Sequence, residues 1–411
     1  MPERKPSLGA IFLTVVIDLL GFGLALPFLA EEARTTFHTS SFVGTLLASS
    51  YSIMQFLFVP LWGRLSDRVG RKPVLAWSIA ATAVANLATG LALGFGSSVT
   101  WLFVARMFGG FATANLGTAS AYIADITSAR DRAKGMGMIG MAFGIGFVVG
   151  PGFGGLLAQI PVNGRHGPWA LYVAAMLSVI NFVWVLFGLV ESLPPESRRL
   201  APPRRLTPID VRGALDVLSD SSIARAVLAN FVLILFFSGM EQTMRYFNKD
   251  GFGMSLAATG GLLVVIGLTA AAVQGGLVRR LSGRVQDTSM LRVGLILQAI
   301  AFAGLAAAPS LGRWMLYVSG MVLATGNGLT QPSTSAFVSK RAKPGEQGAT
   351  LGVNQSMSSL ARATGPALAG WVYDQLGIRS PFFLACFGML IALVLVLPLR
   401  DGEGFDRSVR T

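Results

Sequence analysis

The sequence predicts an all-α membrane protein: twelve transmembrane helices in two pseudo-symmetric six-helix bundles. Three observations predict it. Charged residues make up only 13% of the 411-residue chain and hydrophobic residues 53%, whereas a water-facing surface calls for about 25% charged residues. The apolar residues fall in long, nearly charge-free runs, and a run of roughly 20 residues crosses a bilayer as a helix. Short segments also recur in register between the two halves of the chain. The 49 glycines fit the same class, because small residues let membrane helices approach closely.

Taken in order, the candidate spans are 8–30, 42–63, 73–95, 99–126, 135–159, 168–190, 223–247, 256–278, 290–309, 313–338, 348–375 and 381–399. The charged start, Met1-Pro-Glu-Arg-Lys-Pro, resembles that of a signal peptide. The following run, however, has no small-residue cleavage site, continues past 20 residues and holds Asp18. The fourth, seventh, tenth and eleventh spans are long and contain polar groups. Between the sixth and seventh lies the one long linker, rich in proline and arginine (Leu193-Pro-Pro-Glu-Ser-Arg-Arg, Ala201-Pro-Pro-Arg-Arg). The chain thus divides into an N-terminal bundle, 1–190, a cytoplasmic linker, 191–222, and a C-terminal bundle, 223–411.

Loop charge orients the spans. Arg64, Arg68, Arg71, Lys72, Arg130, Arg132, Lys134, the linker arginines, Arg279, Arg280, Arg284, Lys340, Arg341 and Lys343 fall on the side of both termini. The other side holds only Arg34, Arg165, Arg245, Lys249, Arg313 and Arg379. Basic loops stay in the cytoplasm, so both termini are expected there, in a cell inner (plasma) membrane. The same asymmetry accounts for the net charge of +13 without a nucleic-acid partner.

The repeat is specific. Trp62-Gly-Arg-Leu-Ser-Asp-Arg-Val aligns with Val278-Arg-Arg-Leu-Ser-Gly-Arg-Val, and Gly150-Pro-Gly-Phe-Gly-Gly with Gly365-Pro-Ala-Leu-Ala-Gly. Both matches fall at corresponding spans of their halves, which points to a duplicated six-helix unit. Secondary transporters are often built this way, with a substrate site at the repeat interface.

Other classes find no support. Cys386 is the one cysteine, so no intrachain disulfide forms. The only histidines are His38 and His166. No phosphate-binding Gly-x-x-x-x-Gly-Lys-Ser/Thr, zinc-binding His-Glu-x-x-His or Gly-x-Ser-x-Gly elbow occurs, so the chain is not read as an enzyme.

Gly63-Arg-Leu-Ser-Asp-Arg-Val-Gly-Arg-Lys-Pro-Val-Leu resembles the signature between the second and third helices of the major facilitator superfamily. Gly146-Phe-Val-Val-Gly-Pro-Gly-Phe-Gly-Gly155 is similar to the antiporter motif of its drug/proton antiporter families, and Arg106-Met-Phe-Gly-Gly110 to their basic motif. Ala121-Tyr-Ile-Ala-Asp-Ile-Thr and Asp131-Arg-Ala resemble tetracycline/proton antiporters. Phe237-Ser-Gly-Met-Glu241 and Ile266-Gly-Leu-Thr-Ala-Ala-Ala-Val-Gln274-Gly resemble the tetracycline-transporter-like branch. The resemblance implies the major facilitator fold and proton-coupled efflux of a small amphipathic, drug-like compound by alternating access. An organic-anion or lysolipid transporter on the same scaffold is the alternative, and a non-transporting receptor the alternative of another class. The expected partners are substrate, protons and lipid, with a monomer at work. No cofactor is expected, the proton gradient being the driving force.

The resemblance also implies that Asp67, with Gly63, Arg68, Gly70 and Arg71, latches the two halves in one conformation. The bland reading is a solvated basic loop. Gly63 and Gly70 permit tight backbone turns. On the fifth span, Gly146, Gly150 and Gly154 share one face at four-residue spacing, and Pro151 and Gly155 accompany them. Pro151 bends the helix. The expectation is a smooth face against which the other half slides; the alternative is static packing.

Ionisable residues inside the spans carry the sharpest signal, because each costs at least about 2.5–3.5 kcal/mol unless paired or hydrated. Asp18 lies near the midplane, and Arg106 enters the fourth span at a depth within side-chain reach of it. The expectation is that Asp18 binds the proton and Arg106, at a distance that changes with conformation, biases it; the alternative is a permanent structural ion pair. Glu241 is either a boundary i,i+4 pair with Arg245, or a second proton site or cation contact. Arg362 is either an anion contact or paired with an acid across the cavity. Gln55, Asn115, Asn327, Gln331, Asn354 and Gln355 are candidates for a cavity wall, although each alone is more often a helix–helix hydrogen bond. Asp125 and Asp374 are read as loop contacts at inner helix ends.

Overall fold

A computed structural model describes residues 6–96, 98–113, 115–127, 132–193, 211–281, 284–342 and 347–401. Among them the chain is helical apart from turns and one isolated bridge between Val162 and Arg165. The helices are α1 (Leu8–Phe37), α2 (Ser41–Val69), α3 (Arg71–Phe95), α4 (Val99–Ala112), α5 (Asn115–Ile126), α6 (Arg132–Leu157) and α7 (Pro168–Gly188). They continue with α8 (Val211–Leu218), α9 (Ser221–Phe252), α10 (Leu256–Ala272), α11 (Asp287–Leu311), α12 (Trp314–Arg341), α13 (Gln347–Leu376) and α14 (Ser380–Val396). A π-helical turn, Val273–Val278, extends α10 to Leu281.

Among the described residues, six segments are long and apolar enough to cross a bilayer: Ser41–Phe58, α3, α7, α9, Leu256–Leu281 and α11. Leu8–Leu24 and Ser380–Val396 are shorter apolar helices. Their outward faces are as apolar as their cores. Trp77, Phe95, Phe187 and Phe387 lie more than half exposed, while Ile11, Leu75, Phe302 and Phe382 are fully buried. Helices that are hydrophobic all round need lipid as their solvent.

Where the helices stop is written locally. Asp220 caps α9, its carboxylate accepting from the amides of Ser222 (2.8 Å) and Ile223 (3.0 Å). Gly253 ends the same helix in the left-handed region, φ 62°, where glycine carries no Cβ penalty. The fourth predicted span is two helices: Thr113 leaves the helical backbone, and its hydroxyl donates back to the Gly109 carbonyl (2.7 Å). The expected loop at Gly63–Lys72 is mostly helix, since α2 runs on to Val69. Gly70 alone makes the joint to α3, at φ 116° and ψ 159°, a region open essentially to glycine. Gly63 lies inside α2, and a Cβ there would meet nothing within 4 Å. The turn expected of it belongs to Gly70.

The chain forms two compact units. One takes Met1–Thr39, Ser50–Ile209 and Leu256–Val264, and the other Ser40–Ser49, Asp210–Ser255 and Val265–Thr411. In the first unit Ile11, Val15, Leu19, Leu75, Ile79, Tyr122 and Ile123 form a buried core.

The glycines of α6 pack differently from expectation. Gly146, Gly150 and Gly154 face α1 within the first unit: a Cβ on Gly150 would stand 2.7 Å from the Gly23 Cα, and one on Gly146 would stand 2.9 Å from the Leu19 carbonyl. This seam lies within one unit, so the face at four-residue spacing is turned towards α1. The adjoining face meets α10, where a Cβ on Gly260 would stand 2.8 Å from the Pro151 carbonyl and 3.4 Å from Gly155, and one on Gly152 would meet Val264 at 2.7 Å.

In the second unit, the first turns of α2 pack on α13. Gly370 leaves room for Thr45 and Phe42, and the Ala367 amide donates to the Ser49 hydroxyl (3.1 Å). Asp374 completes the seam, accepting from the amides of Ser41 (3.2 Å) and Phe42 (2.8 Å). Asp374 therefore stands at the N-terminal end of α2, the end opposite Gly70. The inner position expected for it was wrong, and its carboxylate faces the positive end of a helix dipole.

Candidate functional site

The first cluster is built around Arg106. Gly109 and Gly110 let α4 touch α2: a Cβ on Gly110 would run into the Tyr51 backbone and stand 2.9 Å from the Met54 Cβ, and one on Gly109 would stand 3.4 Å from the Tyr51 ring. That contact places the Arg106 guanidinium over the Tyr51 ring, 4.3 Å from its centroid. A desolvated cation over an aromatic face is held by the ring quadrupole. The Tyr51 hydroxyl lies 2.6 Å from the Thr113 hydroxyl. Arg106 is buried, and its Nε and Nη2 have no hydrogen-bond partner among the described residues. Asp18, on α1, acts electrostatically on the same phenol. Asp18 and Arg106 thus both act on Tyr51, the first on its phenol and the second over its ring face. Gln55 follows Tyr51 by one turn of α2 and is half-buried. The side chain of Asn115 lies outside the described residues.

The second cluster lies in the other unit. Glu241 on α9 and Arg362 on α13 are half-buried and act on each other electrostatically. Gly239 and Gly365 bring the two helices together, since a Cβ on Gly239 would stand 2.9 Å from the Gly365 carbonyl. The Arg362 Nη2 also donates to Ser359 (3.3 Å). Arg245 is buried and donates from Nη1 to the Met254 carbonyl (2.7 Å). Glu241 thus acts on Arg362 across α9 and α13, while Arg245 is engaged with the Met254 carbonyl.

The uncharged candidates separate. Asn354 is buried and accepts from Asn230 (3.0 Å), which also donates to Ser358 (3.0 Å). It joins helices rather than lining a wall. Gln355 is exposed. Asn327 is half-buried, with an Oδ1 that has no hydrogen-bond partner among the described residues, and Gln331 is half-buried on the next turn. Gln298, fully buried on α11, donates to Thr330 (3.1 Å) between them.

The charged end of α2 forms a third cluster. Arg71 bonds Asp67, Ser66 and, at 3.0 Å, Asp125. Glu191 accepts from the amides of Arg71 (2.9 Å) and Lys72 (3.2 Å), capping α3. Arg68 is exposed. Asp67 is thus committed within its own unit. Asp125 is the loop-end contact expected of it. Tyr51, Glu191 and Asn230 went unread in the sequence, although Asn230 stands out as an amide in an apolar run.

The family model described as Major Facilitator Superfamily matches residues 11–364 and 290–408. The chain is 32% identical to the tetracycline resistance protein, class C, of Escherichia coli over 416 residues, 100% of each protein. It is 30% identical to the bovine (Bos taurus) major facilitator superfamily domain-containing protein 10 over 444 residues, 96% of this chain and 92% of that protein. Among solved structures, the human organic anion transporter MFSD10 (TETRAN) superposes with a TM-score of 0.72 at 26% identity. That match covers 96% of this chain and 100% of that one.

Proposed function

The chain belongs to the major facilitator superfamily, and we propose that this multi-pass membrane transporter exports a small amphipathic compound in exchange for protons. One observation carries the reading. The first helix of each half of the chain holds an ionisable carboxylate inside its span, Asp18 on α1 and Glu241 on α9. Each sits in an electrostatic cluster with a buried or half-buried arginine. A carboxylate that meets its arginine in one conformation and not in another binds its proton in the second and releases it in the first. That turns a change of shape into proton uptake or release. Likeness to tetracycline resistance proteins supports export.

On loop charge both termini face the cytoplasm, and the membrane is the inner, plasma membrane. The protein works as a monomer, with no cofactor. The test is a substrate panel in inverted vesicles under an imposed pH gradient. Substrate-dependent proton movement, lost in Asp18→Asn, is expected. Uptake that ignores the gradient would refute the reading.

A second reading, transport of an organic anion, is favoured by the two buried Arg106 donors with no partner among the described residues and by likeness to an organic anion transporter. Under it, Arg362→Lys abolishes anion transport, because lysine lacks the planar fork that grips a carboxylate. Under proton export the same variant is milder.

A further inference from the structure

The two bonds of the Thr113 hydroxyl assign a direction to the hydroxyl of Tyr51. The distance of 2.6 Å between the two hydroxyls leaves open which one donates. Thr113 has a single hydroxyl proton, and it is given to the Gly109 carbonyl at 2.7 Å. Tyr51 must therefore donate to Thr113. The chain runs one way, from the Tyr51 hydroxyl to the Thr113 hydroxyl to the Gly109 carbonyl, and ends on the backbone of the helix that carries Arg106. With its proton committed, the phenol has none to offer Asp18 or a substrate.

The ring is held as firmly. A Cβ on Gly109 would lie within 3.4 Å of it, and one on Gly110 within 2.9 Å of the Tyr51 backbone. Neither helix has slack at this point. The guanidinium lies on the ring face, 4.3 Å from its centroid, while its Nε and Nη2 stay buried without a hydrogen-bond partner among the described residues. These two nitrogens form one edge of the planar fork, the geometry that grips a carboxylate with two parallel hydrogen bonds. Buried donors without acceptors are costly, so an arrangement that keeps them waiting needs something to hold the arginine in place.

We propose that Tyr51 is the positioning residue for Arg106: its ring is a shelf, pinned through Thr113 to the helix of Arg106, that holds the Nε–Nη2 edge ready for an incoming carboxylate. This rests on the reading above that Arg106 takes part in coupling. The carboxylate is that of Asp18 in another conformation or that of an anionic substrate, and the ring serves both.

Two measurements test it on the full-length protein in lipid nanodiscs and vesicles. The first needs no transport. With arginine labelled by 15N, the Nε–H resonance of Arg106, assigned by its loss in Arg106→Lys, is expected upfield of the other arginines, because it lies over an aromatic face. The shift persists in Tyr51→Phe and vanishes in Tyr51→Leu. An Arg106 resonance that is not displaced, or is displaced equally in Tyr51→Leu, overturns the proposal whatever the protein transports.

The second is gradient-driven uptake of an active substrate from the panel, with gradient-free exchange and thermal melting as controls. Tyr51→Leu is expected to cut gradient-driven uptake at least tenfold, with melting unchanged and exchange retained. Tyr51→Phe and Thr113→Val lose two- to threefold each, and the double variant no more than either alone. Tyr51→Phe as impaired as Tyr51→Leu would make the phenol, not the ring, the working part and would overturn the shelf. Wild-type uptake that ignores the gradient removes the coupling reading alone; the resonance then decides the positioning.

Discussion

A methyl group at Gly150 is the most economical way to test the close seam between α1 and α6. The Cβ of Gly150→Ala would stand 2.7 Å from both Cα and C of Gly23. Carbon atoms sit comfortably at about 3.5–4.0 Å, so α6 has to withdraw by about 1 Å. The obstruction is backbone, with no rotamer through which to escape, and overpacking of this kind costs about 1–3 kcal/mol. Asp18 lies on α1 just before this seam, and the withdrawal also shifts Pro151 and Gly152, which face α10. Gly152→Ala is the control. Its Cβ would meet only the Cγ2 of Val264, also at 2.7 Å, and a methyl at the end of a side chain turns away cheaply. The assay pairs melting in detergent with uptake into vesicles. Gly150→Ala is expected to lower the melting temperature by several degrees and to reduce uptake at least tenfold, while Gly152→Ala stays within twofold of wild type. If the two variants behave alike, distance to backbone is not what decides, and the account of the α1–α6 seam fails.

Other perturbations follow from single contacts. Gly70→Ala forces a Cβ into a glycine-only backbone region and should destabilise the first unit by about 1–3 kcal/mol, read as a lowered melting temperature; an unchanged one would mean that the joint relaxes. Asp374→Ala removes the acceptor from the first amides of α2, an interaction worth about 0.3–2 kcal/mol. Hydrogen exchange at Ser41 and Phe42 should rise severalfold, and unaltered exchange would deny the cap. Asp67→Asn should cut uptake while leaving expression intact, because Arg71 keeps Asp125 and Ser66 as partners. Normal uptake would show that the bond from Asp67 to Arg71 is dispensable.

The fold was legible because its causes are local and repeated. Apolar runs, the charged loops between them and the duplicated Gly-Pro segment each act within a few turns of the chain. The charged candidates were legible because a buried charge in a span stands out from its neighbours. Their partners were not. Nothing near Glu241 in the chain points to Arg362, and Arg245, four residues away, was the nearer guess. Tyr51 looked like any aromatic of a membrane helix, and only the contact made by Gly110 gives its ring a task. Gly146, Gly150 and Gly154 announced close packing but not its partner, since spacing selects a face and not what covers it. Asp374 was misplaced for a simpler reason: counting the alternation of spans puts the end of the eleventh opposite the inner loops.

The seam of α2 on α13 has a counterpart at the same positions of the repeat, so that Thr45 beside Gly370 answers to Gly260 beside Gly155. Cys386 is the one native thiol in the chain. Replaced by serine, it leaves a blank background for paired labels. A thiol pair at 45 and 370, or one at 155 and 260, then reports a single seam by cross-linking or spin–spin distance, with no background signal to subtract. The ancestral duplication has left two matched probe positions, each lying within one compact unit, and whether the two seams part together or in sequence becomes something a spectrometer can time.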